Sequence, residues 1–227
     1  MSTLIFGKGY CGRYLKSLLA NAQCAELPDL KDDEDIPFDF NDTNTWEQLT
    51  GFDTYVFTLK MENTKNAARL AQLTQGSQRI ILSSARCFGN SLPDQLIDET
   101  TPIKNTLRNQ CESLFLPNAC LMHLGLIWGK DREPQTWLKE GRIRNGQKFI
   151  NMIHLHDIGN IVKNMIHQDQ QGRFLISDGI RQRWSEFAAT IDLTLPANNT
   201  GQESRVFNTE KLQACLPEAY KFLPRHS

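Results

Sequence analysis

The chain of 227 residues lacks an excess of charge of either sign: 25 lysines and arginines stand against 26 aspartates and glutamates. No net field draws it to nucleic acid or to an anionic membrane, so a small-molecule partner is the expectation. It also lacks any apolar run near the roughly 20 residues that span a bilayer. The N-terminus has neither the basic stretch nor the continuous apolar core of a signal peptide, because Gly7 interrupts a short apolar run. The six cysteines (Cys11, Cys24, Cys87, Cys111, Cys120 and Cys215) have no C-x-x-C spacing, which argues against a zinc site or a disulfide framework. Reduced thiols in a cytoplasm fit better, and a soluble cytoplasmic protein is expected. Internal repeats and low-complexity tracts are absent.

What is present is an alternation of short apolar runs with helix-like segments, the pattern of βαβ units and a mainly parallel sheet. Residues 3–6 read as the first strand, and residues 13–22 carry Leu15, Leu18 and Leu19 at helical spacing. Further strands are expected at 24–27, 36–40, 54–59 and 79–84, with helices at 45–49 and 64–75. Pro28 stops the second strand, and the acidic run 29–35 reads as a solvated loop. Beyond residue 85 the expectation is a surface loop at 93–102, a helix at 105–116 and one buried strand at 119–127. Residues 129–147 look less regular. A helix over 157–167 lines up Ile158, Ile161, Val162, Met165 and Ile166, with Asp157 placed to cap it. A strand at 174–177 and a helix at 184–193 follow, and the length favours one compact α/β unit with a small appended lobe.

The stretch LIFGKGYCG, residues 4–12, puts Gly7, Gly9 and Gly12 in G-x-G-x-x-G spacing between the first strand and the first helix. In that context each glycine serves a separate purpose. Gly7 permits the tight turn, Gly9 lets backbone approach a pyrophosphate, and Gly12 lets helix and strand pack closely. The helix's first N–H groups and its positive dipole end would face the phosphates, with Lys8, Tyr10 and Cys11 completing the candidate cofactor contacts. The alternative is a turn that needs glycine for conformation alone. The acid usual near the end of the second strand has two candidates, Glu26 and Asp29, neither in an obvious strand-end setting. Lys8 and Arg13 tip the cofactor, NAD or NADP, toward NADP and its extra phosphate, unless they serve only solubility.

Ser83, Ser84, Arg86, Phe88 and Gly89 stand at the carboxyl end of an expected central strand, where open α/β sheets place ligands. Here ILSSARCFGN resembles the S-S-x-x-[VC]-[YF]-G segment of extended short-chain dehydrogenase/reductases, the NAD-dependent epimerase/dehydratase family. IDETTP at 97–102 is similar to that family's x-D-E-x-x-P, and MIHLHDIGNIV at 152–162 to its I-H-x-x-D-[VI]-x-x-x-[VI]. FDFND at 38–42 resembles the D-[LIV] after the third strand, which implies that Asp39 reaches the adenine. The motifs run in the family's order over nearly the whole chain. The resemblance implies a Rossmann-type, doubly wound, mainly parallel α/β sheet in a single domain, with a small C-terminal substrate lobe from about residues 129–150 and 172–227. It further implies a bound nicotinamide dinucleotide, a small-molecule substrate, Ser84 at the catalytic serine or threonine position, and a homodimer through two helices.

One part of the family pattern is missing. Its proton chemistry needs a tyrosine four residues before a lysine, because the ammonium and the cofactor ribose lower the phenol's pKa. Counting back from Glu112, which resembles the glutamate after that pair, the tyrosine position falls on Lys104 and the lysine position on Arg108. The only tyrosines are Tyr10, Tyr14, Tyr55 and Tyr220, none of them between Ser84 and Glu112. Arg108 could hold a cofactor ribose, but a guanidinium keeps its proton to above about pH 12 and is a poor acid or base. The chain therefore resembles the family's atypical subgroup, which lacks the tyrosine. Two functions are expected: an NAD(P)-dependent oxidoreductase or epimerase-like enzyme on a small polar substrate, its proton coming from Lys104, a histidine or water; or a catalytically silent NAD(P)-binding sensor or scaffold.

Other residues invite weaker readings. His154 and His156 would share one side of an extended segment, but a third metal ligand is missing nearby, and the resemblance implies a bracing role for the histidine and Asp157. Asn151 and Trp128 are candidate substrate contacts, with packing or turn formation as the alternative. His123 lies inside an apolar run and reads as a core histidine, and Cys87 as buried rather than nucleophilic.

Overall fold

The structure, a computed structural model, describes residues 1–89, 95–195 and 204–225. Its strands are β1 (Thr3–Phe6), β2 (Ala22–Glu26), β3 (Ile36–Pro37), β4 (Thr54–Phe57), β5 (Gln78–Ser84), β6 (Gln95–Ile97), β7 (Cys120–Leu124), β8 (Leu126–Trp128), β9 (Phe149–Ile150), β10 (Met152–His154), β11 (Gly172–Ile176), β12 (Gln182–Arg183) and β13 (Arg205–Phe207). Its helices are α1 (Tyr10–Leu18), α2 (Thr64–Leu73), α3 (Leu107–Ser113), α4 (Pro134–Lys139), α5 (Leu155–His167), α6 (Trp184–Ala189) and α7 (Glu210–Cys215). The chain forms two compact units: residues 1–87, 103–123 and 159–173, and residues 88–102, 124–158 and 174–227. The second takes in residues 88–102, 124–128 and 151–158 beyond the lobe expected from the sequence.

A seven-stranded sheet runs in the order β11-β7-β5-β4-β1-β2-β3. The pairs β1–β2, β1–β4, β2–β3 and β4–β5 are parallel. The chain builds outward from β1 to β3, then returns to β4 on the other side of β1. That reversal makes the carboxyl ends of β1 and β4 the switch point where doubly wound sheets bind ligands, so the Rossmann-type expectation holds. Parallel strands are covered on both faces, and TLIF in β1 and TYVF in β4 are buried at every position. Phe6 is the hub of the core: its ring stacks on Phe57 at 4.7 Å and meets Phe38 edge-on at 4.9 Å. Such pairs add about 0.5–1.5 kcal/mol each beyond the area they bury. On α5, a Cβ at Gly159 would lie 2.5 Å from a Leu18 methyl, so glycine there lets α5 lie directly on α1.

The second unit is built from small sheets: β8 with β10 and β6 with β13, both parallel, and β9 with β12, antiparallel. Its core gathers Trp128, Leu138, Ile150, Met152, Trp184 and Phe187. Buried Arg225 grips Asp178 through two 2.6 Å bonds, and Asp157 accepts the Tyr220 hydroxyl at 2.7 Å and the Leu223 N–H at 3.1 Å. The chain after α7 is thus held by two buried carboxylates.

Several expectations change. The single strand at 119–127 is two, β7 and β8, broken at Gly125. A side chain at Gly125 would meet the Asn151 carbonyl oxygen at 2.3 Å, so β8 turns away to pair with β10. The loop at 93–102 contains β6, paired with β13, while residues 93–94 lie outside the described residues, as does Asn90 of the ILSSARCFGN segment. The strand at 36–40 shortens to β3, Ile36–Pro37, with the Phe38 N–H still donating to the Glu26 carbonyl at 2.7 Å. Asp157 is not the cap of α5: the helix starts at Leu155, and His154 Nδ1 accepts the His156 N–H at 3.1 Å. Among the described residues no helix is long and apolar enough to cross a membrane.

Candidate cofactor site

The glycine turn lies in the first unit, at the carboxyl end of β1. Gly7 has φ +94°, a left-handed conformation that glycine adopts without strain. Thr58, just past β4, places its hydroxyl 2.9 Å from the Gly7 oxygen. A Cβ on Gly12 would stand 2.0 Å from that oxygen, so α1 can begin this close to the strand only with glycine there. Gly9 is the N-cap of α1, no side chain caps the helix, and its first turn holds no acid. A Cβ on Gly9 would meet nothing within 4 Å: the space in front of this helix end is open. An uncapped N-terminus with its dipole directed into open space suits an anion.

Of the two acidic candidates, Glu26 is the last residue of β2. Its carboxylate accepts the Lys8 N–H at 2.5 Å and the Leu27 N–H at 2.9 Å, while Asp29 is exposed. Lys8 and Arg13, the two basic residues of the turn, are engaged within the protein. The Lys8 ammonium bonds Asp32, and Asp35 at 2.6 Å; the Arg13 guanidinium donates to the Lys8 carbonyl at 2.8 Å. Lys16 adds a second cation to Asp35 at 2.9 Å. Burial pushes the Asp35 carboxyl up, yet the bonds from Lys8, the Asp32 N–H and Lys16 outweigh it and hold the pKa down at about 2. The side-chain bonds to Asp32 and Asp35 raise the pKa of Lys8 against the effect of burial. The acidic run is therefore not simply a solvated loop, since Asp35 is buried and ties it to the glycine turn. Asp39, half-buried, spends one carboxylate oxygen on the Asn41 N–H at 2.8 Å.

At the carboxyl end of β5 the picture differs. Ser84 accepts the Arg86 N–H at 3.2 Å on its hydroxyl oxygen. The neighbouring Ser83 hydroxyl donates to buried Glu112 at 2.6 Å, and the other Glu112 oxygen accepts from Arg108 Nε at 2.6 Å. Arg108 also reaches the Leu82 carbonyl at 3.1 Å, so its side chain lies along β5. Lys104 is exposed in the segment before α3; its N–H donates to the Cys87 carbonyl at 2.7 Å, and its own carbonyl accepts the Asn109 amide at 2.7 Å. Cys87 is buried, with its sulfur 3.1 Å from His123 Nδ1, and burial together with the charges of Arg173 and Arg108 pushes the His123 imidazole down to about 3.

In the second unit, the two candidate substrate residues are absorbed into the fold. The Asn151 amide donates to the Arg205 carbonyl at 2.9 Å and accepts the Phe207 N–H at 3.0 Å, pinning β13. Trp128 is buried and meets the His154 ring edge-on at 4.5 Å. Burial lowers the His154 pKa, against the opposing pull of Asp157. Among the described residues no group of three histidine, cysteine or acidic side chains is arranged to hold a metal.

No protein-family model matches the chain, and no curated protein matches it by sequence. Solved structures do match. A protein of Methylobacillus flagellatus assigned as an NAD-dependent epimerase/dehydratase superposes with TM-score 0.77 at 16% identity, covering 98% of this chain and 93% of its own. The chain has the epimerase/dehydratase fold. The Bordetella bronchiseptica enzyme WbmG, in complex with NAD, gives TM-score 0.75 at 14% identity over 99% and 89% of the two chains. Human epimerase family protein SDR39U1 (isoform 2), with NADPH, gives 0.66 at 16% over 95% and 85%. Both forms of the dinucleotide thus occur in solved structures of this fold.

Proposed function

We propose that the glycine turn binds a nicotinamide dinucleotide, NAD(H) in preference to NADP(H), and that the protein is an oxidoreductase or epimerase-like enzyme acting on a small polar substrate. The observation that carries the reading is the uncapped N-terminus of α1 behind Gly9, with open space before it. The residues present fit the group: the Gly7–Gly12 backbone would take the pyrophosphate, Glu26 the adenosine ribose hydroxyls, and Asp39 the adenine. The lean toward NADP loses its support, because Lys8 is already neutralised by Asp32 and Asp35 and a carboxylate at Glu26 repels a 2′-phosphate. Bound, the nicotinamide would supply hydride transfer. Ser84, whose hydroxyl oxygen accepts the Arg86 N–H, would keep its hydroxyl proton for a substrate oxygen. Arg108 is committed to Glu112 and the β5 backbone, so a part in holding the ribose would require it to leave that pair.

A second reading, a cofactor-binding protein without catalysis, is favoured by the network Ser83–Glu112–Arg108, which occupies the place of a proton-transfer pair with structural bonds. Two assays separate the readings. Purified protein with NADH, offered aldehydes, ketones and nucleotide sugars, oxidises the cofactor with at least one class if it is an enzyme. Binding of NADH with no oxidation across the panel, and no epimerisation of the nucleotide sugars by NMR, selects the silent reading. Failure of both NADH and NADPH to bind at millimolar concentration removes both.

A further inference from the structure

Among the described residues, buried Arg225 is paired with Asp178, half-buried Arg108 with Glu112, and half-buried Lys8 and Lys16 with Asp35. Buried Arg79 is built differently. Arg79, the second residue of β5, is only 5% exposed and has no carboxylate partner among the described residues. Its Nε and Nη2 donate to the Asn118 carbonyl at 3.2 and 3.1 Å, and its Nη1 to the Ala71 carbonyl at 3.1 Å. Three of a guanidinium's five N–H donors are thereby used, all on neutral acceptors. Burial pushes its pKa down, and no charge acts in the opposite direction. A buried charge without a counter-charge is costly, which makes this a place where an incoming anion would be welcome.

Arg79 is among the residues lining a cavity of about 280 Å³ between α2 and the segment that follows α3, at the amino-terminal edge of the sheet and so at the opposite edge from the glycine turn. Leu114, Phe115 and Leu116 give the cavity an apolar wall, Gln72 and Gln75 add side-chain amides, and none of its lining residues is acidic. The volume is at the lower end for small-molecule sites, roughly 300–1,000 Å³, and suits a compact ligand. A planar carboxylate matches the fork of the guanidinium better than a point-like anion does. We propose that the Arg79 cavity binds a small carboxylate with an apolar body, the carboxylate meeting the guanidinium and the body lying on the Leu114–Leu116 wall.

Benzoate and its neutral analogue benzamide, titrated into the ¹⁵N-labelled full chain by NMR, test this. Benzoate should shift the side-chain amides of Gln72 and Gln75 saturably, with a dissociation constant of about 1 mM or tighter. Benzamide should bind at least about tenfold more weakly, since it forgoes a charge-assisted bond. Ala68→Trp, which fills the cavity and leaves Arg79's own bonds in place, should abolish the benzoate response, and a folded Arg79→Gln should weaken it at least about tenfold. The proposal is overturned if benzoate leaves both amides unmoved, if benzamide binds as tightly, or if the Ala68→Trp chain responds in full. These readouts do not involve nicotinamide, so they stand apart from the fate of the cofactor reading.

Discussion

Within the first unit, the ends of β1 and β5 are built on opposite plans. At β1 the chain withholds side chains: Gly7, Gly9 and Gly12 leave a helix end uncapped and facing open space. At β5 it fills the end with bonds, as Ser83, Glu112, Arg108, Asn109, Lys104 and Cys87 hold one another and the nearby backbone. The first plan leaves hydrogen-bonding capacity for a ligand; the second consumes it to fix α3 against the sheet. An open helix end and a filled strand end therefore occur side by side in this fold.

The largest effect should come from breaking the filled end. Glu112→Ala leaves Arg108 and Ser83 without their partner; at about 3 kcal/mol for a broken buried pair, the thermal midpoint should fall by about 6–12 °C. Calorimetry checks this, and a shift below the noise would mean the network is incidental. Gly12→Val comes next: its Cβ would lie 2.0 Å from the Gly7 oxygen, so we expect about 2 kcal/mol of destabilisation together with loss of NADH binding. If that variant binds NADH normally, the close contact of strand and helix is not what shapes the cradle.

A smaller effect concerns the tie between the acidic loop and the turn. Asp35 has a pKa lowered from 3.8 to about 2, so its contribution to stability is complete above about pH 4 and is lost as the pH falls toward 2. Wild type should lead Asp35→Asn in thermal midpoint at pH 7, with the gap closing in that acid window; a constant gap would place the effect elsewhere. The smallest change is expected from Asp32→Asn, which frees Lys8 in part. NADPH affinity should rise by about twofold to fivefold while NADH affinity holds, consistent with one surface-accessible ion pair of up to about 1 kcal/mol. Fluorescence titration reads both constants.

What the sequence shows plainly is what depends on neighbours along the chain. The runs TLIF and TYVF declare buried parallel strands, and Gly7 and Gly12 are where a turn and a close approach require glycine. What it hides depends on distant partners. Asp157 looks like a helix cap until Tyr220 and Leu223, more than 60 residues later, claim its carboxylate. Lys8 looks like a phosphate contact until Asp32 and Asp35 neutralise it. Asn151 looks like a substrate amide until β13 takes both of its ends. The break at Gly125 did leave a signal, since a glycine inside an apolar run often marks the close passage of another backbone.

The central claim, that the opening before Gly9 is a dinucleotide cradle, is tested most directly by titrating NADH into wild type and Gly9→Trp and following nicotinamide fluorescence. The added side chain meets no protein atom within 4 Å at its Cβ, so the fold should survive with its thermal midpoint unchanged. The expected result is saturable NADH binding to wild type, tighter than NADPH, and no binding to Gly9→Trp. Equal NADH affinity in the two proteins would contradict the account.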